Sequence, residues 1–283
     1  MIKIKKNKLN FNKVFNLSFK QVSKNWKFYL KIGAIFYLIL LGLLAIASLT
    51  ILSANEWVII TSMTIAILIF MFLEVIYAYY LFKTVIKNKK SHETRFYEMI
   101  KLNTKPGLKF FLYQLVYALF VLVLFIVIPM TLIYLLLKYI TNIWVSVSLA
   151  LIILIATVFL GIMYSVYWQF YPYLIVEQIE KRKKFEFKKA LKQSHKLVKG
   201  KWWPIFAFDI LLALILLGIS LVGYVINSLI SLASVGSLSL PILGLGFGIL
   251  LVALSMLISV LVSFFELPIK IILLGEAYKQ LKK

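Results

Sequence analysis

The sequence predicts an all-α fold, a polytopic membrane bundle of six transmembrane helices with two or three amphipathic helices at one membrane face. Of its 283 residues, 63% are hydrophobic, and the mean hydropathy is +0.97. The apolar residues form long uninterrupted runs, and the positive charges cluster in the stretches between them. A soluble domain does not carry so many apolar runs, so residues 1–283 are predicted to form a single membrane domain.

Each of six segments is apolar over the roughly 20 residues that a helix needs to cross about 30 Å of hydrocarbon. Helices are expected because backbone groups find no water inside the bilayer, and no segment shows the alternation of a barrel strand. The predicted spans are Ile32–Ser53, Trp57–Phe82, Phe110–Leu137, Ile143–Phe170, Ile205–Ser231 and Ile242–Phe265.

The positive charges predict the orientation of these spans. All 32 Lys and Arg residues except Lys138 lie in residues 1–31, 83–109, 181–201 and 270–283. Positive loops stay in the cytoplasm, so both termini and both basic connections are expected there. The expected location is a bacterial or archaeal plasma membrane. The net charge of +22 fits insertion and attraction to anionic lipid. Nucleic acid is not expected as a partner, because the basic loops are short and contain no nucleic-acid-binding module.

The basic stretches also indicate an internal repeat of about 10–90, 91–180 and 181–283, each an amphipathic lead-in followed by two spans. In the middle unit, Phe96, Met99 and Ile100 keep the start of the pattern, and Pro106 is expected to end that helix early. Six residues of the first lead-in match the third at a constant offset of 176: Phe11, Val14, Phe15, Ser18, Val22 and Trp26 match Phe187, Ala190, Leu191, Ser194, Val198 and Trp202.

The spacing of these matched residues places the apolar side chains on one helical face and the lysines on the other. We therefore expect the lead-ins to lie in the cytoplasmic interface with their apolar faces toward the lipid. The candidate contacts with lipid headgroups are Ser194, Lys196, Lys199, Lys201, Trp202 and Trp26.

Polar residues inside the spans form a second set of candidates, since a buried ionisable group is costly in the membrane. Glu74, Gln169 and Glu266 lie at comparable depths, with Pro172 and Pro268 following the last two and expected to kink the helices. Asn227 and Asp209 complete the set.

Each carboxylate of this set has a functional and a structural interpretation. Glu74 is either a proton or cation site or a packing group bonded to Gln169 or to a tyrosine of its own helix. For Glu266, a helix-stabilising pair with Lys270 is expected. Asp209 fits the favourable start of a helix.

No catalytic site, cofactor site or metal site is expected. The chain has no cysteine, and its two histidines, His92 and His195, have no carboxylate pair nearby at ligand spacing. Nucleophilic or metal-dependent chemistry needs an activated nucleophile with a base, or a metal with three or more ligands. The sequence therefore predicts a protein that is not an enzyme.

One segment resembles a known family. Residues 172–206 read PYLIVEQIEKRKKFEFKKALKQSHKLVKGKWWPIF, with Ala190, Ser194, Leu197 and Gly200 at the spacing Ala-x-x-x-Ser-x-x-Leu-x-x-Gly. This pattern resembles the membrane domain of glycerophosphoryl diester phosphodiesterases and of related six-helix families of bacteria and archaea. The resemblance implies a membrane architecture without the activity, because no catalytic barrel and no histidine-carboxylate cluster are present.

Three functions remain open at this stage. The first is a non-enzymatic membrane protein that binds or organises lipid, anionic lipid preferred, through its basic amphipathic helices. The second is a transporter or channel that uses the intramembrane polar layer. The third is an accessory subunit, or an immunity or biogenesis factor, for a membrane-protein partner.

Overall fold

The computed structural model describes residues 9–49, 55–87, 96–182, 186–237 and 243–282, and within these ranges it contains helices and a few short turns, with no strand. A π-helical turn at Val123–Val127 joins the third helix to the fourth. The helices are α1 (Phe11–Leu49), α2 (Glu56–Lys87), α3 (Phe96–Leu122), α4 (Ile128–Tyr139), α5 (Ile143–Trp168), α6 (Tyr171–Glu180), α7 (Phe187–Val198), α8 (Trp202–Ser237) and α9 (Leu243–Lys282).

The described part of the chain contains five helical segments that are long and apolar enough to cross a membrane: Phe11–Leu43, Glu56–Lys87, Phe96–Tyr139, Ile143–Glu180 and Trp202–Ile230. The prediction of an all-helical chain with several membrane-spanning segments is therefore confirmed. The sixth predicted span, Ile242–Phe265, begins outside the described residues and continues in α9, so it stays a prediction.

The chain divides into two compact units, Met1–Lys105 with Phe208–Lys283 and Pro106–Ala207. In the first unit, α1, α2 and α9 pack against one another. Their core lies in the halves of the helices that adjoin the basic stretches, whereas the other halves expose apolar side chains suited to lipid. Core residues include Val14, Tyr29, Ile32 and Phe36 of α1, Ile76, Tyr77 and Leu81 of α2, and Ile271, Leu273, Ala277 and Leu281 of α9.

The second unit contains a long hairpin of α4 and α5. Asn142 caps α5, because its Oδ1 accepts hydrogen bonds from the backbone N–H groups of Trp144 and Val145 at 3.1 and 3.3 Å. Beyond this turn the hairpin exposes apolar side chains such as Ile155 and Phe159. At the opposite end of α5, the short helices α6 and α7 pack against each other, and α7 also packs against α5. The core of this unit therefore lies at its basic end.

Prolines affect the helices in different ways. The chain breaks after α5 and resumes in α6 with Pro172 in its first turn, where the sequence predicted a kink. The prediction that Pro106 ends the middle lead-in was wrong, because Pro106 lies inside α3. Proline removes one backbone donor, but a helix that continues into apolar sequence keeps the remaining hydrogen bonds, which a break would forfeit in hydrocarbon. Pro268 likewise lies inside α9.

The first lead-in also differs from the prediction. It is not a separate surface helix, because α1 runs without a break for 39 residues, about 58 Å at 1.5 Å per residue. The third lead-in is a separate helix, α7, which ends at Val198 before Gly200 adopts φ +78°. Only this lead-in is a separate helix within the described ranges. The same hydrophobic pattern is thus compatible with a separate surface helix and with the start of a long helix. The residues that follow the pattern decide which of the two forms.

Candidate functional site

The helix α7 carries the most asymmetric distribution of charge in the second unit. Ala190, Ser194 and Val198 are fully buried, and Leu197 is buried too. The basic surface of α7 is the opposite face, whose exposed side chains are Lys188, Lys189, Lys192, Lys196 and Lys199. The 3.6-residue period of the sequence therefore correctly predicts which side chains of this helix are buried.

The apolar face of α7 is covered by protein and not by lipid. Ser194 Oγ donates a hydrogen bond of 2.8 Å to the backbone carbonyl of Tyr167 in α5. The ring of Tyr167 stacks on the ring of His195, with centroids 4.2 Å apart. Phe187, at the start of α7, makes an edge contact with Tyr171. The expected orientation of this face toward the bilayer is therefore wrong for α7, because the basic end of its own unit already buries it.

A tight turn joins α7 to α8. The backbone N–H of Lys199 donates to the carbonyl of His195 at 2.9 Å, and that of Lys201 donates to the carbonyl of Val198 at 2.8 Å. Gly200 lies between them with φ +78°, a left-handed conformation that glycine adopts without steric cost. The helix α8 then begins at Trp202. This turn holds Lys199 and Lys201 at the junction between the basic surface and a membrane span.

Two tryptophans mark that junction. Trp202 is half-buried, with its Nε1 3.4 Å from the carbonyl oxygen of Met163 and its ring stacked on Phe206 at 4.8 Å. Trp203 is exposed over 73% of its surface. Tryptophan prefers the level of the lipid headgroups, where its ring lies in an apolar setting and its N–H reaches polar groups. The start of α8 therefore has the composition of a membrane interface.

Lys201 is unusual among the lysines of this region. Its Nζ is covered from solvent and has no hydrogen-bond partner among the residues that the structure describes. Burial lowers the pKa of this ammonium group below its ordinary value, because removal from water disfavours the charged form. A covered ammonium group without a partner is stabilised by an approaching anion.

A shallow, open concavity of about 590 Å³ lies at the start of α7, lined by Glu186, Phe187, Lys188, Lys189 and Lys192. Lys189 Nζ pairs with a carboxylate oxygen of Glu186 at 3.2 Å. Both members of this pair are more than half exposed, so solvent screens it and it contributes little to stability. The concavity adds exposed positive charge close to that of Lys196 and Lys199.

The structure brings together most of the residues predicted to contact headgroups, with one change. Lys196, Lys199, Lys201 and Trp202 all lie on or beside the basic surface of α7, whereas the Ser194 hydroxyl points into the core. Trp26 belongs to the first unit, where it is 47% exposed, with Lys27 Nζ 5.8 Å from its ring centre.

Within the first unit, two of the polar candidates inside the spans bond to serines of a neighbouring helix. Ser220 Oγ of α8 donates a hydrogen bond to Glu266 Oε1 of α9, and Asn227 Nδ2 donates to Ser259 Oγ at 2.9 Å. Glu74 is half-buried in α2 and takes part in neither pair. The side chain of Gln169 lies in the second unit, in the break between α5 and α6. The predicted hydrogen bond between Glu74 and Gln169 stays a prediction.

The expected pair of Glu266 with Lys270 is not formed between these two described residues, because Glu266 accepts its hydrogen bond from another helix. Lys270 interacts electrostatically with Asp209 of α8 instead. Asp209 is therefore more than a favourable residue near a helix start, since its charge interacts with that of a lysine of α9.

Sequence reasoning missed Asn103 in the first unit. This residue is buried in α3, accepts a hydrogen bond from Lys83 Nζ at 3.1 Å and donates one to the carbonyl of Met99 at 2.7 Å. It lies 85 positions after Ser18, the same offset that relates Phe96 to Phe11. The constant offset was the signal that could have identified Asn103, because the matched residues, Ser18 and Ser194, are polar too. Both of these serines are fully buried.

Within the described ranges, no three His, Asp or Glu side chains come close enough to hold a metal ion. Comparison of the chain with protein-family models, with curated proteins and with solved structures finds no match. The resemblance to the phosphodiesterase membrane domain therefore stays a prediction that rests on residues 172–206.

Proposed function

We propose that this protein is a non-enzymatic integral membrane protein that binds anionic lipid headgroups at the basic surface of α7 and the turn that follows it. The observation that carries the proposal is the covered ammonium group of Lys201, which has no partner among the described residues. The side chain of Lys201 would turn outward to meet a lipid phosphate, which would supply charge-assisted hydrogen bonds to its Nζ. The exposed lysines of α7 would add long-range attraction, about 1 kcal/mol for each lysine near an anionic surface.

The membrane placement is part of the same proposal. The basic stretches are cytoplasmic, both termini lie on that side, and the membrane is the plasma membrane of a bacterium or archaeon. Six spans in three repeats form the bundle. The repeat is supported by burial at matched positions, since Val14, Met99 and Ala190 are buried, as are Ser18, Asn103 and Ser194.

A titration of the purified protein in a neutral detergent tests lipid binding. The probes are short-chain phosphatidylglycerol and, as the neutral control, short-chain phosphatidylcholine of the same chain length, with tryptophan fluorescence as the readout. The anionic lipid is expected to bind more tightly in low salt, and added salt should weaken its binding because salt screens the lysines. Equal affinity for both lipids would contradict the proposal.

The variant Lys201→Gln locates the site. Loss of one phosphate-facing charge, worth about 1 kcal/mol, should raise the Kd for phosphatidylglycerol about fivefold. Lys138→Gln is the matched control, since Lys138 is an exposed lysine of the same unit at the end of α4. An unchanged Kd in Lys201→Gln, or an equal rise in both variants, would remove Lys201 from the site.

A further inference from the structure

The helices α8 and α9 carry polar side chains along their facing sides. On α8, Asp209, Ser220 and Asn227 are separated by 11 and 7 residues, spacings close to three and two helical turns, so they share one face. On α9, polar residues recur about once per turn over about 22 Å of helix. These are Ser255, Ser259, Ser263, Glu266 and Lys270. We call these eight residues the α8–α9 seam.

Two cross-helix hydrogen bonds and one electrostatic interaction join the two sides of the seam in antiparallel order. Asp209 interacts with Lys270, Ser220 Oγ donates to Glu266, and Asn227 Nδ2 donates to Ser259 Oγ at 2.9 Å. On α9, Ser263 lies between Glu266 and Ser259, and its hydroxyl donates to the backbone carbonyl of Ser259 at 3.0 Å. Two hydrogen bonds therefore cross between the helices, one at Glu266 and one at Ser259, and Ser263 lies between these two residues on α9.

The two helices approach closely in the middle of the seam. A Cβ atom added to Gly223 of α8 would lie 2.9 Å from Val262 Cγ2 of α9, a separation that is shorter than van der Waals contact. No space exists at this level for a hydrated ion between the helices. A proton, which moves between neighbouring hydrogen-bonding groups, needs no such space.

The seam also retains an unused hydrogen-bonding group. Asn227 Oδ1 is buried and has no hydrogen-bond partner among the described residues, although its Nδ2 is bonded. Polar side chains can hold membrane helices together, at roughly 0.6 kcal/mol per contact. That role alone does not require a carboxylate such as Glu266, which directly follows the predicted sixth span. An ionisable residue in a membrane span more often marks a pathway.

We propose that the α8–α9 seam conducts protons, with Glu266 as the group that takes up and releases them. At the basic end, Asp209 and Lys270 set the charge next to Glu266. Ser220 donates to the Glu266 carboxylate, and Ser263, Ser259 and Asn227 continue the series away from the basic end. This activity is separate from lipid binding at α7, and neither requires the other.

The test uses the full chain reconstituted in liposomes that contain a pH-sensitive dye, with a potassium gradient and valinomycin to drive protons inward. The wild-type protein is expected to acidify the interior faster than protein-free liposomes. Glu266→Gln should slow the protein-dependent rate at least about tenfold, because it removes the titrating group. The glutamine keeps the Oε1 acceptor for Ser220, so the helix contact is preserved.

Glu74→Gln is the matched control, the same substitution at another half-buried glutamate of the first unit, and its rate should equal that of the wild type. Thermal unfolding of each variant in detergent reports whether it is folded. If Glu266→Gln fails to fold, Ser263→Ala replaces it, since Ser263 is exposed and bonds only to its own helix among the described residues. It should also slow the flux.

Two results would overturn the proposal. One is a wild-type rate no higher than that of protein-free liposomes. The other is that folded Glu266→Gln transports protons as fast as the wild type. If Ser263→Ala is used in its place, the same result for that variant would show that the seam is only a contact between helices. Lipid binding at α7 is unaffected by either result, because Lys201 and the titration with phosphatidylglycerol lie outside this experiment.

Discussion

The lead-ins of the first and third repeats share one hydrophobic pattern but fold differently after it. Residues 11–26 of the first begin α1, which continues for 39 residues. The matched residues of the third form α7, which ends after 12 residues and turns at Gly200. Position 24 of the first is Lys, whereas the matched position 200 is Gly. Amphipathic spacing therefore decides which face is buried, whereas the stop accompanies Gly200 and Pro204, which match Lys24 and Phe28 of the first.

Burial at the start of the two lead-ins is the same, although the partners are different. Val14 and Ala190 are fully buried, as are Ser18 and Ser194. The Ser194 hydroxyl bonds to the carbonyl of Tyr167, whereas the Ser18 hydroxyl has no partner among the described residues. The packing is therefore matched, but the polar contact of Ser194 is specific to the second unit.

The largest effect is expected where α1 continues beyond the lead-in. Phe36 is fully buried and contacts the rings of Phe70 and Tyr77. Phe36→Ala should lower the free energy of unfolding by about 3–5 kcal/mol, through lost transfer energy and a cavity. Chemical denaturation in detergent, followed by circular dichroism, measures it. Leu38→Ala, at a residue 66% exposed on the same helix, should change stability by less than about 0.5 kcal/mol. An equal loss of unfolding free energy in both variants would show that α1 contributes no buried core beyond residue 26.

The two matched serines give the next largest difference. Ser194→Ala leaves the Tyr167 carbonyl without its donor, so it should cost about 1–3 kcal/mol in the same measurement. Ser18→Ala removes a buried hydroxyl that has no partner, and it should be neutral or slightly stabilising. The difference between the two variants isolates the hydrogen bond, since both change the same side chain at matched positions. A similar cost at both sites would mean that the bond to Tyr167 does not stabilise α7.

The smallest effect is expected at the residues that end or continue the helix. A Cβ added to Gly200 would meet no neighbouring side chain or backbone within 4 Å. Gly200→Ala should therefore lower the free energy of unfolding only by the cost of a left-handed backbone, about 1–2 kcal/mol. Lys24→Gly, at the matched position inside α1, should cost less than about 1 kcal/mol through helix propensity. Thermal unfolding of both variants with the wild type checks the order. A stabilising Gly200→Ala would show that the turn does not need a positive φ.

Much of the fold was predictable because it depends on local sequence. Runs of about 20 apolar residues require helices in a bilayer, and the 3.6-residue period correctly places Ala190 and Val198 inside. The break near Pro172 follows from the missing backbone donor. The continuation through Pro106 was not predictable in this way, since it depends on the hydrogen bonds that the rest of α3 retains.

The candidate sites were only partly predictable, because hydropathy does not say what covers an apolar face. Lys196, Lys199 and Lys201 were expected at the surface, and the structure places the first two there but covers the ammonium group of the third. Ser194 was expected to face headgroups, yet it bonds to Tyr167. Glu266 was paired with Lys270 by helical spacing, whereas Ser220 on another helix is its donor. Contacts between distant parts of the chain leave no local signal.

By itself, the sequence determined the all-helical class, the apolar spans and the buried side of the basic lead-ins, because each depends on the order of apolar and polar residues along one helix. Only the tertiary structure decided that α5 and α6 cover the apolar face of α7, and that the polar side chains of α8 and α9 pair across a seam. Those arrangements depend on which helices meet, and that choice is made by packing between residues far apart in the chain.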